Sequence, residues 1–220
     1  MNPTNPNRKP LRIAVLASGR GSNLQAIHIA CENGQLQSKI IGVFSDKPGS
    51  GAIAFAKQEG IHFAAVKPNE YKAREAFDEY LFSLIQTVQP DLIVCAGYLR
   101  LISAKTVEKV QARMINIHPS LLPKFPGLRT HARALASGET LHGASVHCVI
   151  AELDAGPVLT QVCVEVLPDD TDEMLEKRVL AREHALLVAT IVALEQGRIL
   201  LQSPPTKPLQ LDAKNILQDA

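Results

Sequence analysis

The feature that most constrains this chain is an alternation along its first hundred residues. Short apolar runs take turns with stretches whose apolar residues recur at helical spacing. The runs at 11–17, 39–44, 61–66 and 91–97 read as strands. Between them, Leu24, Ile27 and Cys31 share a helix face that ends at Gly34, and a short helix is expected over 52–59. Phe77, Tyr80, Leu81, Leu84, Ile85 and Val88 then mark the clearest helix, stopped by Pro90. Strands and helices in this order imply parallel strands joined by right-handed crossovers, with helices on both faces. The run 91–97 has no polar alternation and reads as a strand buried on both faces. Further strands are expected at 114–117, 144–150 and 158–166. A long helix is expected from about Thr171 to Glu195, capped by Asp170 or Thr171 and ended by Gly197. The fold expected is α/β, with a three-layer, mostly parallel twisted sheet in a single domain. Residues 1–10, with three prolines, read as a flexible leader, 11–200 as the domain, and 201–220 as an edge strand and tail.

The size and charge narrow the function. The 220 residues suit one large domain that buries roughly 70% of its unfolded surface, so no metal or disulfide staple is required. The 23 Lys and Arg against 22 Asp and Glu leave a net charge of +1. That balance argues against nucleic acid or an anionic membrane as the main partner but leaves room for a local phosphate site. Cys31, Cys95, Cys148 and Cys163 form no paired motif and read as small buried side chains of a reducing compartment. No apolar stretch in the leader could act as a signal, and no run approaches the roughly 20 apolar residues of a membrane helix. A cytoplasmic location is expected.

Four places carry chemistry. The turn Ser18-Gly-Arg-Gly-Ser-Asn23 joins a strand to a helix, and its glycines let backbone N–H groups approach an anion. Leu24 stands where a dinucleotide fingerprint needs its third glycine, so a single phosphate is the better fit. A tight turn without ligand remains the alternative. Asn116 and His118 lie two apart in a strand and so share a face, away from Ile115 and Ile117. Pro119 ends that strand at its carboxyl edge, where open α/β sheets build their sites. An imidazole moves protons near neutral pH, and an amide can donate to a developing oxyanion. A satisfied structural histidine is the alternative. Glu152 and Asp154 sit in a loop between two apolar strands, and a carboxylate there could orient an imidazole. Glu183 has Val179, Leu180, Leu186 and Leu187 at helical spacing around it and therefore faces inward. Its partner is a ligand's amine or hydroxyls, or else an arginine. No metal site is expected: His142 and His147 are five apart in a strand, and no zinc motif is present.

Together, Ala17-Ser-Gly-Arg-Gly-Ser-Asn-Leu-Gln-Ala-Ile27, Asn116-Ile-His-Pro-Ser-Leu-Leu-Pro-Lys-Phe-Pro-Gly127, His142-Gly-Ala-Ser-Val-His147 and Glu152-Leu-Asp-Ala-Gly-Pro157 resemble the phosphoribosylglycinamide formyltransferase family. The likeness runs from about residue 11 to 197. It implies a Rossmann-like formyltransferase fold and formyl transfer from 10-formyltetrahydrofolate, a co-substrate, to glycinamide ribonucleotide in purine biosynthesis. By this resemblance Asn116, His118 and Asp154 are catalytic, with Asn116 and protonated His118 stabilising a tetrahedral oxyanion and Asp154 keeping the proton affinity of His118 high. Gly21, Ser22, Asn23 and Glu183 would hold the ribonucleotide. Arg74, Leu99, Arg100, Leu101, Ile102, Asn116, Ile150, Ala151, Glu152, Leu153 and Asp154 would hold the folate. Ile150 stands where many relatives carry Thr, so a hydroxyl contact is lost. The resemblance also implies a cis bond before Pro123 and small-molecule partners only, in a monomer or homodimer.

Three other readings compete. A formyltetrahydrofolate deformylase has a similar trio but a regulatory domain before its catalytic part, and only ten residues precede the first strand here. A methionyl-tRNA formyltransferase would need a basic carboxyl-terminal domain. A nucleotide-binding module without catalysis is the third.

Overall fold

In the computed structural model, which describes residues 10–110 and 113–218, the alternation expected from the sequence is built out as one nine-stranded sheet. All but Pro10 of the expected leader lies outside the described residues. The chain runs β1 (Arg12–Leu16), α1 (Ser22–Glu32), β2 (Lys39–Ser45), α2 (Gly51–Gln58), β3 (Phe63–Ala65), α3 (Arg74–Thr87) and β4 (Leu92–Cys95). It continues through α4 (Ala104–Lys109), β5 (Met114–His118), α5 (Thr130–Ala136), β6 (Leu141–Cys148) and β7 (Val158–Glu165). It ends with α6 (Asp172–Glu195), β8 (Leu209–Leu211) and β9 (Leu217–Gln218). Thr171 caps α6 by accepting from the Met174 N–H.

The strand order is β3-β2-β1-β4-β5-β6-β7-β8-β9. The first five strands pair in parallel, but β6 runs antiparallel to both β5 and β7. For β6 and β7 the reason lies in the connection: the 149–157 link between them holds no helix, and a parallel pair needs a long crossover. The expected single edge strand after residue 200 is two short strands, β8 parallel to β7 and β9 antiparallel to β8. Helices α4 and α5 were not foreseen. At six and seven residues, each is too short to develop a periodic apolar pattern.

Alternation within β1 divides the core. Ile13 and Val15 join Ile115 and Ile117 on one face, against Leu24 and Ile27 of α1 and Leu186, Leu187 and Ile191 of α6. Ala14 and Leu16 join Ile93 and Met114 on the other, against Phe77, Leu81 and Ile85 of α3. Each such side chain is essentially without solvent exposure and contributes roughly 1.5–3 kcal/mol. Cys163 departs from the expected burial: it is exposed, because β7 turns alternate residues outward at that end, and Cys31 is half-buried.

The chain leaves β1 toward β2 and β3 on one side and returns to β4 and β5 on the other. This reversal opens a crevice at the carboxyl ends of β1, β4 and β5, the place where open α/β sheets bind ligands. Among the described residues no helix is long and apolar enough to cross a membrane.

Candidate active site

The first wall of the crevice is the glycine turn after β1. Gly21 precedes α1 at φ 81°, and no side chain caps the helix. A Cβ on Gly21 would fall 2.9 Å from the Ala52 Cα, and one on Gly51 would fall 2.7 Å from the Arg20 carbonyl oxygen. The backbones at the starts of α1 and α2 therefore touch, which only glycine permits at those two positions. The uncapped N–H groups and dipole of α1 are the features that favour an anion at such a turn. Asn23, buried in the first turn of α1, donates from Nδ2 to Glu183 Oε2 at 3.1 Å, while its own Oδ1 is buried without a partner. The inward-facing Glu183 thus meets an amide of the turn rather than an arginine. Burial pushes its carboxyl above the usual range, with Asn23 pulling the other way.

The second wall grows from β5. Asn116 lies opposite His147 of β6, and His118 opposite Ser145. His147 Nδ1 lies 2.9 Å from the carbonyl of Cys148, so this nitrogen carries the proton. Nε2 lies 3.1 Å from Asn116 Nδ2, a contact that orients the amide. Asp154 reaches both imidazoles: Oδ2 is 3.4 Å from His118 Nδ1 and Oδ1 is 3.5 Å from His147 Nε2. It also accepts from the Gly127 N–H at 2.8 Å. On the far side of the ring, His118 Nε2 is 3.0 Å from the Phe125 carbonyl. The bond before Pro123, in the same loop, is cis.

Burial lowers the proton affinity of His118, and the Phe125 carbonyl and Asp154 offset this only in part, so the ring titrates below its ordinary value. Asp154 pulls the affinity up, and burial is the larger effect. For Asp154, burial raises the carboxyl, but His147, the Gly127 N–H and His118 together hold it below its usual range. The carboxylate is ionised beside an imidazole that can accept a proton.

A cleft opens in front of this cluster. Arg100, Leu101, Ile102, Asn116 and the loop 150–154 line it, as the resemblance implied, together with Cys95, Tyr98, Val107, His147 and Val149. Two residues assigned to the folate do not line it. Arg74 starts α3 and pairs with Glu75 at 3.8 Å, and Leu99 is exposed, with its N–H on the Ser18 hydroxyl. A side chain at the start of a helix or on a rim is placed by tertiary geometry, which a matching motif does not report. His147 is the residue that sequence reasoning missed. The argument that singled out Asn116 and His118, polar groups in a buried strand, applies equally to His147 within Leu141–Cys148. His142 and His147 do not meet: His142 pairs with His131 at 3.1 Å. No group of three or more His, Cys, Asp or Glu fit to hold a metal occurs among the described residues.

A family model described as formyl transferase matches residues 11–191. The phosphoribosylglycinamide formyltransferase of Escherichia coli K12 is 41% identical over 189 residues, 86% of this chain and 89% of the relative. A human trifunctional purine biosynthetic protein is 35% identical over 88% of this chain and 19% of its own length. Among solved structures, the phosphoribosylglycinamide formyltransferase of Coxiella burnetii superposes with a TM-score of 0.84 at 41% identity, covering 94% of this chain and 98% of the other. The glycinamide ribonucleotide transformylase 1 of Symbiobacterium toebii also reaches 0.84, at 39% identity over 87% and 90%. The rival deformylase reading gains no support from these matches. The chain belongs to the formyl transferase family, within the group of phosphoribosylglycinamide formyltransferases.

Proposed function

We propose that this protein moves the formyl group of 10-formyltetrahydrofolate to the amine of 5-phosphoribosylglycinamide, giving formylglycinamide ribonucleotide and tetrahydrofolate in purine biosynthesis. One observation carries the reading. Asn116, His147 and Asp154 line a cleft as one contacting cluster, His118 backs them through Asp154, and the Asn23–Glu183 pair sits two strands over on the same sheet edge. The apolar walls, Leu101, Ile102, Val107, Val149 and Ile150, suit the flat ring of a folate. Arg100, whose Nε is buried without a partner, suits an acceptor on that ligand. The α1 cradle suits the phosphate of the ribonucleotide, and Glu183 suits its hydroxyls or amine.

The reaction needs negative charge stabilised on the formyl oxygen and a proton carried from the attacking amine to the departing nitrogen. Asn116 has two N–H groups and spends one on His147, which leaves the other to donate to that oxygen in a water-poor cleft. His118, neutral and bonded through Nε2 to Phe125, takes the proton on Nδ1, the nitrogen that faces Asp154. The ionised Asp154 stabilises the resulting imidazolium until the proton passes on. The test is an absorbance assay for tetrahydrofolate, run with and without glycinamide ribonucleotide. Product forming only when the ribonucleotide is present is expected. Formate release without it would make the protein a hydrolase, and binding without turnover would make it a module.

A further inference from the structure

One short piece of chain touches both His118 and Asp154. The Phe125 carbonyl accepts from His118 Nε2 at 3.0 Å, and two residues on, the Gly127 N–H donates to Asp154 Oδ2 at 2.8 Å. Both residues lie in the left-handed region, Phe125 at φ 55° and Gly127 at φ 78°. That conformation is uncommon for a phenylalanine and persists only where the surroundings hold it.

Arg133, in the last turn of α5, supplies the hold. Its Nη1 donates to the Pro126 carbonyl at 2.5 Å and to the Leu128 carbonyl at 3.4 Å. Its guanidinium also lies over the Phe125 ring, 5.5 Å from the centroid, while His142 meets the same ring at 6.1 Å. A planar guanidinium can bond carbonyls at its edge while its face covers a ring, and a tetrahedral ammonium has no such face. Arg133 itself is not among the residues that line the cleft.

We infer that Arg133 is a positioning residue for the formyl-transfer site: by clamping residues 125–127 it sets both the acceptor on His118 and the donor on Asp154. The inference rests on the roles proposed above for those two residues. No relative's name or family description assigns Arg133 a part.

Arg133 affects His118 in two opposed ways. As a cation it lowers the ring's proton affinity, whereas the Phe125 carbonyl that it holds raises it more strongly. The other groups facing the ring are Asp154 from the acidic loop, which raises the affinity, and His147 of β6, which lowers it. His142 of β6 and His131 of α5 also lie within electrostatic reach. A clamp and a bare charge therefore predict opposite signs on removing the side chain.

The experiment is an NMR titration of the His118 ring in the full chain, assigned with His118→Asn, for wild type, Arg133→Ala and Arg133→Lys. Steady-state kinetics are followed over the same pH range. The clamp predicts that the midpoint of His118 falls by about half a unit in both variants as the Phe125 carbonyl drifts away. It also predicts that kcat falls about tenfold while KM for both substrates stays nearly constant. A midpoint that rises or stays put in Arg133→Ala, or an Arg133→Lys protein that matches wild type, overturns the inference. Should the alanine variant fail to fold, the lysine variant decides alone, because it keeps the charge and loses the fork. A lowered midpoint with unchanged kcat upholds the clamp and counts against the role of His118 itself.

Discussion

Asn116 and His118 illustrate how little of a residue's role resides in its own chemistry. The amide of Asn116 is held by His147, whose ring is in turn held by the Cys148 carbonyl. Asn116→Ala removes the free donor and leaves the cleft intact, so kcat should fall about 10²–10³-fold with KM for the folate nearly unchanged. Steady-state kinetics with each substrate varied in turn check this. Asp154→Asn should lower kcat as well, since an uncharged partner cannot stabilise an imidazolium 3.4 Å away. A different consequence follows for His142, which burial pushes down from 6.5 to about 4. Above pH 6.5 it is neutral in both the folded and unfolded chains and has no effect on stability. Between pH 6.5 and 4 only the unfolded chain takes up the proton, so stability is lost as pH falls through that window, by roughly 2–3 kcal/mol. His118 adds to the loss with the same sign. Urea unfolding of wild type and His142→Asn at pH 7 and pH 4.5 measures it, and the variant should be the less acid-sensitive of the two.

Among the elements, the meeting of α1 and α2 decides the anion cradle. Gly21→Val would drive a Cβ into the Ala52 backbone at a φ that valine avoids. The turn would have to open, and KM for the ribonucleotide should rise at least about tenfold, one decade being 1.4 kcal/mol, with KM for the folate unchanged. Isothermal titration with inorganic phosphate or the ribonucleotide checks the same point without turnover. The glycine spacing of this turn was legible because strand, glycines and helix are local in sequence. The contact between Asn23 and Glu183 was not, because 160 positions separate them and only the packing of α6 on α1 brings them together. The reversal between β5 and β6 was equally hidden, because residues 119–140 between them are long enough for either direction. An antiparallel strand buried on both faces has the same composition as a parallel one.

At the scale of the whole molecule, the end of α6 is tied back to the beginning of the sheet. Glu195 Oε1 accepts from both the N–H and the hydroxyl of Ser38, the residue before β2, and that hydroxyl accepts from the Leu11 N–H. Glu195→Ala would strand those buried donors at roughly 1–3 kcal/mol each, and calorimetry should find Tm lowered by several degrees with kcat unchanged. The apolar periods, the turn glycines and the polar pair in a buried strand were enough, taken from the sequence alone, to yield the α/β class and the order of the longer strands and helices, while most of the residues around the crevice came from the family resemblance. These signals are short-range, set by backbone conformation and by which side chains can leave water. Which nitrogen of His118 meets Asp154, that burial lowers the ring's proton affinity, that His147 joins the cluster and that Arg133 bonds the Pro126 and Leu128 carbonyls were decided by the tertiary structure. Each depends on distances between segments that only the closed sheet holds together, and on a dielectric that exists only once water has been excluded.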